Sequence, residues 1–168
     1  MAQVDPERMA LVRQHAAHEG VAKCVRGGGG GTYVSCGNDG RVRLWDARAA
    51  GPGAELHRHR LVLNHVDVRG PRLLCSDRAG CVTLLDRRRV GPLAEVRPGF
   101  RDSVLCKPVW RDESTFVVCC DSRILVCSER GVEQSHDTGL RLAHLAVAPD
   151  DPSRVYGITN GEYARWTL

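Results

Sequence analysis

Apolar and polar residues alternate with a period of two in short runs, and a tight polar turn follows nearly every run. Val42-Arg43-Leu44-Trp45 and Val82-Thr83-Leu84-Leu85 are two such runs, each preceded by a turn ending in Gly, Arg or Cys. Successive side chains on a strand point to opposite faces, so this pattern predicts half-buried β-strands.

Laying the chain on itself reveals four related segments. SCGNDGRVRLWDAR runs from Ser35 to Arg48, and LCSDRAGCVTLLDRR from Leu74 to Arg88. VVCCDSRILVCSER runs from Val117 to Arg130, and VYGITNGEYARWTL from Val155 to Leu168. Each reads as an apolar strand, a tight turn and a second, alternating strand. Their closing residues, Trp45, Leu85, Cys127 and Trp166, lie 40, 42 and 39 residues apart. The upstream halves repeat as well: His18 to Val25 matches His59 to Val66 at an offset of 41, with later versions at Phe100 to Val109 and Gly139 to Val147. Pro149 to Ser153 reads as a turn, because proline cannot sit in a central ladder. A period near 40 with a Trp-Asp ending is the pattern of propeller blades.

On these residues the chain resembles the WD-repeat family over nearly its whole length, most closely in the first segment and least in the third. The resemblance implies an all-β WD-repeat β-propeller of four recognisable blades, small or partial. A single domain over 1–168 would carry blades at about 15–57, 58–97, 98–136 and 137–168 plus 9–13. It further implies a structural hydrogen-bond tetrad in blade one: His18, Ser35, Asp39 and Trp45. A buried carboxylate needs donors, and imidazole, hydroxyl and indole groups supply or relay them. Blade two has His59 and Asp77 but Leu85 at the Trp position. Blade three lacks both His and Trp, and blade four has Trp166 with Asn160-Gly161 in place of Asp39-Gly40.

Two further expectations concern chain geometry. The five glycines from Gly27 to Gly31 are no phosphate loop, since no Lys-Ser/Thr follows and the next element reads as a strand. They are expected in the loop between the first two strands of blade one. The fourth segment ends after its third strand, so the apolar run 9–13 is expected to pair with 163–168 and close the last blade. The same strand completing another copy is the alternative, as is a partner completing a partial propeller; family precedent favours about seven blades.

Composition then narrows the chemistry. The 24 Lys and Arg against 20 Asp and Glu give a formal charge of +4, with the charges interspersed, so nucleic acid is not indicated. Neither a signal-like apolar stretch nor a run near the ~18 apolar residues of a membrane helix is present. Eight cysteines sit within apolar runs and read as small core residues in a reduced, intracellular chain, cytoplasmic or nuclear. Cys75 and Cys81 have the wrong spacing for structural zinc, and adjacent Cys119 and Cys120 would point to opposite faces of a strand. His57-x-His59 reads as loop surface rather than an adventitious metal pair. Ser35, His18 and Asp39 resemble a triad, but the tetrad accounts for them and Trp45 together. No metal, cofactor or catalytic residue is therefore expected.

Trp45-Asp46-Ala47-Arg48 spells Trp-Asp-x-Arg, and Leu85-Asp86-Arg87-Arg88 is its counterpart. In WD-repeat substrate receptors this motif contacts the adaptor of cullin-RING ubiquitin ligases. Asp46, Arg48, Asp86 and Arg88 are thus the candidate partner-binding residues. The expected function is a non-catalytic protein-interaction scaffold or adaptor subunit. The alternatives are a ligase substrate receptor and a ribonucleoprotein subunit, with self-association if the propeller is incomplete.

Overall fold

The structure, a computed structural model, describes residues 2–5, 10–14, 18–49, 51–99, 106–120, 122–159 and 161–168. Every regular element among them is a β-strand. Blade one is an antiparallel sheet of β3 (Ala22–Gly29), β4 (Thr32–Gly37), β5 (Arg41–Asp46) and β6 (Ala54–Arg58). Blade two is β7 (Leu63–Arg69), β8 (Arg72–Asp77), β9 (Val82–Asp86) and β10 (Pro92–Val96). Blade three is β11 (Val109–Trp110), β12 (Thr115–Cys120), β13 (Arg123–Ser128) and β14 (Gly131–Asp137). Blade four has three strands, β15 (His144–Val147), β16 (Arg154–Ile158) and β17 (Tyr163–Thr167). A separate hairpin pairs β1 (Ala2–Asp5) with β2 (Ala10–Gln14).

The sheets stand around one axis as a four-bladed β-propeller, with β3, β7, β11 and β15 innermost and touching in that order. Packing between blades explains the sequence pattern. In β8, Leu73 and Cys75 face Val34, Cys36 and Val42 of blade one, while Leu74 between them faces Phe116 and Val118 of blade three. In β13, Leu125 and Cys127 join that second cluster, whereas Ile124 and Val126 pack against Leu145 and Val155 of blade four. The central strands β8, β12 and β13 of the middle blades are covered on both faces, so their sequences carry continuous apolar runs. In β17 only alternate residues are part-buried, and the alternation survives there. Val25 of blade one and Ile158 and Tyr163 of blade four remain exposed.

Arginines on the turns fasten neighbouring blades. Arg69 Nε donates to Glu113 Oε1 at 2.9 Å and Arg72 to the Glu113 carbonyl at 3.1 Å, joining blades two and three. Arg111 donates to the carbonyls of Pro152 at 3.1 Å and Leu168 at 3.0 Å, joining blades three and four.

The structure corrects two expectations. Among the described residues, 10–13 of that run do not close the last blade: β2 pairs with β1, and β17 pairs with β16. A hairpin partner a few residues away closes a far smaller loop than a partner at the other end of the chain. The glycine run is not all loop either. Gly27 and Gly29 still pair with Tyr33 and Thr32, because a ladder uses backbone groups and needs no side chain. Gly30 and Gly31, both with positive φ, make the turn. Met9, His15, residues 100–105 of the third upstream segment, the Cys120 side chain and Asn160 lie outside the described residues.

Candidate functional site

Four closing residues of the repeats occupy one rung of their sheets. Trp45 pairs with Tyr33, Leu85 with Leu73, Cys127 with Phe116 and Trp166 with Val155. In blade one that rung feeds a polar relay. Trp45 Nε1 donates to Ser35 Oγ at 2.9 Å, and the Ser35 hydroxyl donates to His18 Nε2 at 2.8 Å. His18 Nδ1 donates to Asp39 Oδ1 at 2.8 Å, so one imidazole tautomer satisfies both contacts. Asp39 also accepts the amides of Arg41 at 3.1 Å and Glu19 at 3.2 Å. Burial alone would push the Asp39 carboxyl up. The His18 imidazole and these amides outweigh it and hold the group below its ordinary value.

The order Ser, His, Asp is that of a nucleophilic triad, yet the hydroxyl is inaccessible. Ser35 is 0% exposed and its oxygen is already held by the indole. A nucleophile has to reach its substrate. The relay braces the turn between β4 and β5.

Blade two builds a reduced version. His59 Nε2 lies 3.5 Å from Asp77 Oδ2, and Asp77 Oδ1 accepts the amides of Ala79 at 2.8 Å and Cys81 at 2.9 Å. By register, Cys75 takes the place of Ser35 and Leu85 that of Trp45, so hydrophobic packing replaces the relay.

Asp46 and Arg48 form a fork on the turn after β5. Asp46 Oδ1 accepts Arg48 N and Nε, each at 2.9 Å, and Oδ2 accepts an outer nitrogen at 2.8 Å. Asp86 and Arg88 repeat it after β9, at 2.9, 3.0 and 2.6 Å. Bonding to the guanidinium pulls both carboxyls down to about 2, so each stays ionised at neutral pH. The arginine side chains are 77% and 69% exposed. Each is oriented by its own aspartate and turns its remaining donors outward, as recognition of an acceptor on a partner requires. Arg87 reaches the Gly28 carbonyl at 3.4 Å, tying the second fork's turn to blade one.

Sequence reasoning missed a polar cluster on the axis. Cys24 Sγ lies 3.5 Å from His65 Nδ1, and the His144 ring stands edge-on to His65 at 6.0 Å. Arg26 lies 3.6 Å from Asp67, which accepts the Trp110 amide at 2.9 Å. Burial, with Arg26, His144 and Lys107 nearby, pulls the His65 imidazole down to about 3. The signal was the spacing: Cys24 and Arg26, like His65 and Asp67, are two apart on inner strands and so share a face. His57, expected on loop surface, is instead a half-buried residue of β6. Among the described residues no group of three His, Cys, Asp or Glu converges to hold a metal, and no helix is long and apolar enough to cross a membrane.

No protein-family model and no curated protein sequence matches the chain. Solved structures do. One, a crystal structure of the mitotic checkpoint complex, superposes with a TM-score of 0.74 at 18% identity, covering 94% of this chain and 52% of that one. The WD40 β-propeller domain of Doa1 superposes at 0.70 with 14% identity, covering 93% and 53%. The chain thus spans about half the length of these structures. At such identities the likeness concerns architecture, and the architecture is that of a WD40-type β-propeller.

Proposed function

We propose that the chain is a non-catalytic interaction scaffold or adaptor subunit of a multiprotein complex, acting inside the cell. One observation carries this reading. The groups able to do chemistry in blade one are buried in a bracing relay, whereas oriented, exposed charge sits on the turns. Turns held by a rigid scaffold are where binding residues concentrate. A structural relative being part of a checkpoint complex supports protein partners in general. The free cysteines among the described residues fit a reducing compartment. Affinity purification with mass spectrometry tests the reading: stoichiometric co-purifying proteins are expected, and a chain recovered alone at native expression overturns it.

A second reading is favoured by the paired forks. A ligase substrate receptor would present Arg48 and Arg88 to its adaptor. Arg48→Ala with Arg88→Ala should then abolish adaptor co-purification at an unchanged melting temperature, and retained co-purification removes the motif argument. Blade four also leaves the outer side of β17 without a strand partner among the described residues. Strand addition by a second copy or by a partner would cover that edge, and analytical ultracentrifugation distinguishes the two.

A further inference from the structure

Between the loop entering blade two and the outer strand of that blade lies a concavity of about 500 Å³, lined by His57, Arg58, His59, Arg60, Leu61, Asp77, Glu95 and Arg97. The volume falls within the range of ligand pockets. Its lining gathers three arginines, Arg58, Arg60 and Arg97, around one concavity. Elsewhere many arginines are matched: Arg48 and Arg88 by aspartates, Arg41 by Glu19 and Glu55, Arg154 by Asp150 and Asp151. Here Arg58 and Arg60, two residues apart, are both exposed and have no carboxylate within ion-pair distance among the described residues. Arg97 has only a long 3.8 Å contact with Glu95. Asp77 and Glu95 bring two carboxylates to the lining against three guanidiniums, and Asp77 is turned toward the Ala79 and Cys81 amides and His59. Burial beside His59 holds the His57 imidazole below its ordinary value, so the guanidiniums dominate the positive field at neutral pH. Leu61, 44% exposed, adds an apolar patch to the rim.

We propose that this pocket binds a phosphorylated side chain of a partner protein. A dianion with three acceptor oxygens matches several unpaired guanidinium forks better than a single carboxylate does. The exposed Leu61 gives a peptide an apolar contact beside that anion. The proposal rests on the scaffold reading for its biological partner, but the pocket itself is testable on the purified chain.

Calorimetric titration with O-phosphoserine, serine and glutamate provides the test. Saturable binding of phosphoserine is expected, with glutamate much weaker and serine silent. Arg58→Ala with Arg60→Ala should weaken phosphoserine binding at least about tenfold, the scale of losing a charged hydrogen bond. Arg165→Ala, an exposed arginine on β17, should leave it unchanged. Absence of saturable binding, glutamate binding as well as phosphoserine, or equal weakening by both variants overturns the proposal. Circular dichroism of each variant verifies the fold. A chain that binds phosphoserine but captures no protein partner sinks the scaffold reading alone, and the converse result sinks only the pocket.

Discussion

The Trp45 indole donates to the Ser35 hydroxyl at 2.9 Å across the β4–β5 pair, with both residues almost wholly excluded from solvent. The contact couples the largest side chain of blade one to the relay that ends on Asp39. Trp45→Ala removes the packing and the donor together, and should cost about 3–5 kcal/mol in chemical denaturation. Any loss of partner binding should follow the loss of folded protein. A stable variant with a selective binding defect contradicts this.

Ser35→Ala is the finer probe. It leaves the His18 Nε2 without its hydroxyl partner inside a closed site. A buried polar group left unsatisfied costs about 1–3 kcal/mol. Cys75 occupies the same register position in blade two. Cys75→Ser should therefore not create a relay there, because Leu85 offers no donor. Denaturation midpoints of the two variants, compared with the parent, report both effects.

Acid should weaken the fold in two stages. The unfolded chain protonates His65 near 6.5, while the folded chain resists until about 3. Between these values the unfolded state binds more protons, so stability falls as pH drops. Asp39 contributes at lower pH. Its folded value lies below 3.8, so its stabilisation is present above 3.8 and is lost as pH falls through the folded value. His65→Gln should flatten the slope of unfolding free energy between pH 6.5 and 4. A slope unchanged by the substitution contradicts the assignment.

Blade periodicity was legible because burial on two faces writes continuous apolar runs in β8, β12 and β13, and partial burial of one face writes alternation in β17. The contacts of blade one were legible too, since Trp, Ser, His and Asp each have few ways to satisfy a buried polar atom. What sequence could not supply was pairing choice. Residues 10–14 suit an edge strand wherever they dock, and only the short hairpin with β1 decides the matter. The axial cluster and the unpaired Arg58 and Arg60 were hidden for a similar reason. Their character depends on which neighbours the ring brings near. From this pairing, deletion of residues 1–14 should shift the melting temperature only slightly, because the hairpin satisfies its own ladder. A large loss or aggregation would show that it seals the propeller.

Gly40 tests how blade one is seated on blade two. Its φ is 71°, and its carbonyl accepts the His59 amide at 2.7 Å. A Cβ built there would collide with the His59 carbonyl oxygen and lie 3.0 Å from that of Leu61. Both obstacles are backbone, so neither can swing aside as a side chain would. Gly70 separates the two penalties, because its φ is 54° and a Cβ there meets nothing within 4 Å. Gly70→Ala should cost on the order of 1 kcal/mol for the left-handed backbone alone. Gly40→Ala bears that cost plus displacement of the segment from His59 to Leu61. That displacement would also strain the His59–Asp77 contact and reshape the pocket lined by Arg58 and Arg60. The expected result is a clearly larger loss for Gly40→Ala, accompanied by weaker phosphoserine binding, whereas Gly70→Ala leaves binding intact. Equal losses in the two variants would mean that the turn does not bear on the neighbouring blade.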